Sequence, residues 1–268
     1  RKIEMLYLFL DKTNFMKKID IPCWVKRNDV ECTDYREFPF ALVSEVRKML
    51  TRFSAAQPLV TIIASSTRKT DNLLSMLSSL ADLELPAPCE LIFTCTHTHK
   101  DIYKVLQMVN ARVICLPAGT TEAQARQTAL EMAKGEYILN ADVNTIYPSK
   151  WIASFADSLS GKGVSAVSGK VTCFSRLHFY GVLGGIENLL QQVQHPGWAS
   201  HGKCVPSFNF AFKKSEAMQL GGFDTENTDK PAARLCNELQ KFGEVKNLIS
   251  EESHVWHRMI NEQVKAVR

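Results

Sequence analysis

The chain has 268 residues, 45% of them hydrophobic and 22% charged, the composition of a globular protein and not of a disordered or fibrous one. Its formal net charge of +4 at pH 7 is too small an excess to argue for nucleic acid, yet it suits a small anionic ligand.

Residues 1–57 carry mixed charge with no strand–helix alternation. The chain begins with Arg1 rather than Met, as a piece cut from a longer chain would. "MLYLFL" (5–10), preceded by Glu4, is too brief for a signal peptide, and no apolar run reaches the roughly 18–20 residues that span a bilayer. "FALVSEVRKMLTRF" places Val43, Val46, Met49, Leu50 and Phe53 at helical spacing. We therefore expect residues 1–57 to form an extension packed on a main domain, residues 58–268.

From Pro58 the rhythm changes. "PLVTIIAS" is a compact β-branched run, hence a buried strand. "TDNLLSMLSSL" follows, with Asp71 near its start and Leu73, Leu74, Leu77 and Leu80 on one face, hence a helix. "CELIFTCT" reads as strand, "HKDIYKVLQMV" as helix and "ARVICLP" as strand. "TTEAQARQTALEMAKG" is a helix, with Thr and Glu at its front and Gly135 placed as its C-terminal cap. "EYILNAD" is a fourth strand. Beyond residue 150 come a helix ("WIASFADSL"), one or two strands ("GVSAVSGKVTCFS"), a helix ("GVLGGIENLLQQVQ"), a strand–helix–turn unit ("VPSFNFAFKKSEAMQLGGFD") and an amphipathic helix ending at Gly243.

Repeated strand–helix alternation predicts an α/β fold with a mainly parallel, Rossmann-type sheet flanked by helices. Ligands bind such sheets at the carboxyl ends of the strands. Those ends are 64–69, 94–99, 117–121 and 140–144. Neither GxGxxG nor GxxxxGK[ST] follows the first strand, so no Gly-rich phosphate cradle is present. The eight cysteines are scattered, with no CxxC, and several lie inside apolar runs. Buried, reduced thiols and a cytoplasmic location are the expectation.

Two blocks carry more. They are "ARQTALEMAKGEYILNADVNTIYPSKWI" (125–152) and "NFAFKKSEAMQLGGFD" (209–224). Together they resemble glycosyltransferase family 2, the inverting enzymes of GT-A fold, and the resemblance covers about residues 58–248. It implies a nucleotide-binding half (58–148) and an acceptor half (149–268). It implies transfer of a sugar from a UDP- or GDP-linked donor to a carbohydrate or lipid-linked acceptor, as in cell-envelope polysaccharide synthesis. It also implies Mg²⁺ or Mn²⁺ on the departing diphosphate and no nucleic acid. A place at the inner face of a membrane, by peripheral association, would suit a lipid-linked acceptor.

The family's DxD motif falls on Asn140-Ala141-Asp142. Asp142 is thus the candidate metal ligand, and a carboxylate capping the turn after the strand is the alternative. Asn140 keeps a hydrogen-bonding group without the charge. Arg126 falls where the family has an arginine facing the nucleotide, beside Gln127. The alternative is a solvated helix arginine. Ser65 and Ser66 end the first strand and Thr94 and Thr96 the second, all placed to meet the nucleotide. There "CTHT" replaces the family's base-reading Asp-Asp-Gly-Ser. The family's Glu-Asp catalytic pair falls on Pro231 and Ala232, which leaves Glu226 and Asp229 as candidate substitutes for the acceptor base. In "SHVWHR", His254 and His257 stand three apart, one face of a helix, and could complete a metal shell as a late histidine does in some family members. His97 and His99 alternate at a strand end, a weak zinc signal. Trp198 could stack on an acceptor sugar. The losses leave a second reading open, a non-catalytic relative acting as a binding or scaffold subunit. A third, a nucleotidyltransferase, would want a Gly-rich turn where "SSTRKT" stands.

Overall fold

The structure, a computed structural model, describes residues 21–30, 35–66, 72–98, 100–174, 207–226 and 231–258. In chain order its elements are α1 (Cys23–Asn28), α2 (Phe40–Leu50), β1 (Val60–Ser66), α3 (Leu73–Ala81), β2 (Cys89–Thr96), α4 (Lys100–Met108), β3 (Val113–Leu116), α5 (Glu122–Met132) and β4 (Tyr137–Asp142). There follow β5 (Thr145–Ile146), α6 (Trp151–Ser160), β6 (Val164–Gly169), β7 (Val171–Phe174), β8 (Phe210–Lys213), α7 (Lys214–Gln219), α8 (Pro231–Leu239), β9 (Glu244–Leu248) and β10 (Val255–Arg258). The predicted helix in "GVLGGIENLLQQVQ" and Trp198 lie outside the described residues.

Seven strands form one sheet in the order β3-β2-β1-β4-β8-β6-β9. β3, β2, β1 and β4 run parallel, while β8 runs antiparallel to both of its neighbours. Every residue of β1 and β2 is buried, as strands covered on both faces must be. Residues of α2, α3, α4 and α6 cover one face. Those of α5, α7 and α8 cover the other. The expected mainly parallel α/β architecture is what forms.

Helix α3 is buried all round, where leucine spacing alone predicts a single apolar face. Its serines explain how. Val30 N–H donates to Ser75 Oγ at 3.0 Å, Ser78 Oγ donates to Asn28 Oδ1 at 2.6 Å, and Ser79 Oγ bonds Met76 O. The segment around α1 lies over this polar side and satisfies it. Helix α2 packs Val43, Val46 and Leu50 into the main core.

Helix α5 starts with a capping box between Thr121 and Gln124, which satisfies two of its free N–H groups. Gly135 is not its cap. The helix ends at Ala133 in an extended conformation, and Gly135 is needed because a Cβ there would sit 2.6 Å from Thr61 N. Gly243 likewise serves a close approach, to Gly163 O, and not a left-handed cap.

A second, three-stranded sheet, β5-β10-β7, stands beside the first. The chain crosses from β6 to β7 at Gly169, where a Cβ would meet Ser253 O at 2.3 Å and Asn209 Nδ2 at 2.5 Å. Among the described residues, Cys23, Cys89, Cys95 and Cys115 form no disulfide. Cys89, Cys95 and Cys236 are buried, and burial pushes the Cys89 thiol up to about 11. Among the described residues, no helix is long and apolar enough to cross a membrane.

Candidate active site

Strand periodicity decides which side chains meet. Ile63, Ile92 and Ile138 pack with Ala129 and Leu130 of α5, so Ser65, Thr94, Thr96, Asn140 and Asp142, each an even number of residues further on, share that face. Ser66 falls on the opposite face. Ser65 lies beside Thr94 on one side and Asp142 on the other. The Ser65 and Thr94 hydroxyls are buried and make no hydrogen bond among the described residues. Thr96 Oγ1 is within 2.8 Å of Thr98 Oγ1. His97 sits exposed in the turn after β2, not on the strand, and His99 lies outside the described residues.

Arg126 is wholly buried, not a solvated helix arginine. Its guanidinium reaches Glu122 Oε1 at 2.9 Å, Asn140 Oδ1 at 3.2 Å and Ala141 O at 3.4 Å. Asn140 also donates from Nδ2 to Phe210 O at 3.0 Å. Its amide is therefore engaged inside the protein, with an acceptor toward the guanidinium and a donor toward a carbonyl. An aspartate would set two acceptors against each other at the second contact. Asn140 and Arg126 brace the end of β4 from beneath. The adjacent Gln127 accepts from Phe223 N–H at 2.8 Å, which fastens one sequence block to the other.

Asp142 ends β4 half-buried. Its Oδ1 accepts from Asn144 N–H at 2.8 Å, so it does cap the turn, and an ionised carboxylate keeps further acceptor sites beyond that bond. Its own N–H donates to Tyr147 Oη at 2.9 Å, and that hydroxyl donates to Phe208 O at 3.0 Å. Burial raises the Tyr147 phenol well above its usual range, so it stays neutral.

The stretch 254–258 is not helical. Glu251–Ser253 forms a single 3-10 turn, and β10 begins at Val255. Three residues apart on extended backbone means opposite faces, so the two histidines do not act together. His254 Nε2 lies 2.7 Å from Thr172 Oγ1 with Glu251 at its edge. His257 instead lies within electrostatic reach of Asp142. Its Nδ1 lies 2.9 Å from Thr145 Oγ1, and its ring stacks on Phe208 with centroids 4.2 Å apart. Burial lowers its pKa, opposed by the nearby carboxylates of Asp142 and Glu122. With its proton on Nδ1 toward Thr145 Oγ1, the neutral imidazole would keep the Nε2 lone pair for a ligand.

Among the described residues no three histidine, cysteine or carboxylate side chains gather into a metal cage. Asp142 and His257 supply one oxygen and one nitrogen donor. That pair fits a Mn²⁺-type cation which takes its remaining ligands from a diphosphate and water.

The head of α8 is Pro231, with Ala232 buried behind it. Among the described residues, no carboxylate stands in its first turn. Glu226 is exposed on the preceding loop, its N–H donating to Asp224 Oδ1 at 3.2 Å, and Asp224 pairs with Arg234 at 2.9 Å. Asp229 lies outside the described residues. The structural parts that sequence reasoning missed are Tyr147, Thr145, Phe208 and Asn209. Asn209 is fully buried and bonds Trp151 Nε1, Lys170 O and Ser253 O. Its signal was its place at the head of the second block.

Comparison with known proteins agrees with this fold. The profile of Glycosyl transferase family 2 matches residues 59–214. No curated protein matches the sequence significantly. Several solved structures share the fold. The mannosyltransferase PcManGT from Pyrobaculum calidifontis, in complex with GDP-Man and Mn²⁺, is 17% identical at a TM-score of 0.59, over 85% of this chain and 67% of that one. Glucosyl-3-phosphoglycerate synthase from Mycobacterium tuberculosis, with Mn²⁺, UDP-glucose and phosphoglyceric acid, is 14% identical at 0.55, over 87% and 81%. S. aureus TarS, residues 1–349 with UDP-GlcNAc, is 14% identical at 0.54, over 75% and 59%.

Proposed function

Since the chain belongs to glycosyl transferase family 2, we propose that its cleft moves a sugar from a nucleoside-diphosphate donor to the hydroxyl of a carbohydrate or lipid-linked acceptor. The observation that carries this is the half-buried Asp142 carboxylate at the carboxyl end of β4, beside a neutral His257. Ser65 and Thr94, whose hydroxyls share one face and make no hydrogen bond among the described residues, would meet the nucleotide. Similar structures hold GDP-Man or UDP-sugars, which supports a nucleotide sugar and leaves the base to experiment.

The step is a single displacement with inversion. The acceptor oxygen bonds the anomeric carbon as the bond from that carbon to the diphosphate oxygen breaks. The bonding pair leaves with the nucleoside diphosphate. The acceptor proton passes to a carboxylate that precedes α8 in the sequence, Glu226 or Asp229. A divalent cation, when bound, neutralises charge growing on the diphosphate. Asp142 and His257 would hold that cation, and Arg126 with Asn140 keeps the strand end in place.

The experiment is calorimetric titration with UDP and with GDP, each with and without Mn²⁺. We expect one nucleotide to bind, more tightly with Mn²⁺, and Asp142→Ala to erase the Mn²⁺-dependent gain, a loss of about 1.4 kcal/mol or more for a tenfold change. No binding of either nucleotide would falsify the assignment. A second reading, a binding subunit without turnover, is favoured by Pro231 and Ala232 at the head of α8. It predicts Mn²⁺-dependent nucleotide binding with no release of sugar from any donor. If turnover is found, Glu226→Gln tests the base.

A further inference from the structure

The segment before the main sheet reaches the candidate site from behind. Val25 of α1 is buried with Ile146, Phe174 and Trp256, one residue from each strand of the small sheet, and Ile21 and Trp24 pack against them. The next residues run along α3 through the Asn28–Ser78 and Val30–Ser75 bonds. Between them Asp29 forms an ion pair with Arg258.

Arg258 follows His257 on β10, so the two side chains leave opposite faces of the strand. The guanidinium is 5% exposed. Its Nη1 donates to Asn72 Oδ1 at 2.6 Å, and its carbon lies 5.4 Å from the centre of the Phe174 ring. Asn72 donates to Asn144 Oδ1 at 2.8 Å, and Arg258 N–H donates to Asn144 O at 2.7 Å. Asn144 is the residue whose N–H is held by Asp142. The backbones carrying Asp142 and His257 therefore converge on one buried cation, and Asp29 is its carboxylate counter-charge.

We propose that Asp29 and Arg258 are positioning residues of this site, setting His257 opposite Asp142 and making the segment before the main sheet part of the active centre. The proposal rests on Asp142 and His257 being the cation-holding pair. Removing the carboxylate leaves a buried guanidinium uncompensated, and the strand shifts to hydrate it. Partners behind a metal ligand weaken metal binding by roughly 10–100-fold when lost.

The test uses Asp29→Asn, Asp29→Glu and Arg258→Lys in the full chain, with folding checked by circular dichroism. Mn²⁺ binding in the presence of UDP or GDP is read by electron paramagnetic resonance, and nucleotide binding without metal by calorimetry. Solvent access to His257 is read from its labelling rate with diethylpyrocarbonate, with His254 as the internal reference. We expect Asp29→Asn to weaken Mn²⁺ at least tenfold, to leave metal-free nucleotide binding within twofold, and to speed His257 labelling several-fold. Asp29→Glu should recover most of the Mn²⁺ affinity. If Asp29→Asn fails to fold, Arg258→Lys, which keeps the charge and loses the fork, is expected to show the same selective loss. Wild-type labelling and wild-type Mn²⁺ affinity in a folded variant overturn the proposal, as does an equal fall in metal and nucleotide binding. If the unaltered protein binds no Mn²⁺, the functional assignment fails, while faster His257 labelling still upholds the positioning role.

Discussion

Tyr147 has one hydroxyl and two duties. It accepts from the Asp142 N–H and donates to Phe208 O, while the Phe208 ring backs His257. Tyr147→Phe keeps the ring and strands both backbone groups in a dry place, a cost of about 1–3 kcal/mol. Urea denaturation should report that loss, and the Mn²⁺-dependent part of nucleotide binding should fall with it. At this scale the sequence was legible where polarity broke an apolar run, as at Asn140 and Asp142. It marked Arg126 as a candidate but was silent about its burial, because an arginine between Ala125 and Gln127 carries no sign of it. Only the fold puts Glu122 and Asn140 around its guanidinium. Tyr147 was equally silent, since its partner Phe208 is far away in sequence.

Elements were readable where local signals agreed. The β-branched run of β1 and the capping box of α5 each state their own structure. Thr121→Ala should cost about 1 kcal/mol in thermal or urea unfolding through loss of that cap. The small sheet was not readable. Its strands are two to four residues long, too short to show a period, so the spacing of His254 and His257 fitted a helix equally well. What fixes β10 as a strand is pairing with β7 and β5, a non-local fact. The crossing that makes this possible is Gly169. Gly169→Ala places a methyl group against backbone at Ser253 and against the buried Asn209, neither of which can swing away. A loss above about 3 kcal/mol is expected, read as failure to fold or a sharply lowered unfolding midpoint.

Across the whole molecule, the buried His254 and the half-buried His257 make stability depend on pH. Burial lowers the pKa of His254, helped by Lys170 and opposed by Glu251, and lowers that of His257. The folded state thus binds these protons less readily than the unfolded chain does, whose histidines titrate near about 6.5. Their contribution is complete above that pH and is lost as pH falls through the lower folded values. Melting temperature should therefore drop between pH 7 and pH 5, and His254→Gln should flatten the drop. Composition and element alternation disclosed the sheet and its helices. They could not disclose that residues before the sheet and the strand β10 form one unit, because that contact joins parts of the chain far apart in sequence.

That union has a bearing on biosynthesis. A polypeptide leaves the ribosome from its amino end, so Asp29 emerges ahead of β1 and Arg258 after every other element described. A product stopped short of β10 can assemble β1 to β4 and still lack the imidazole, and its orphan aspartate would sit hydrated over α3. Translation must pass β10 before Asp142 and His257 can stand together, so a copy ended ahead of that strand would lack the proposed cation site however well β1 to β4 had folded.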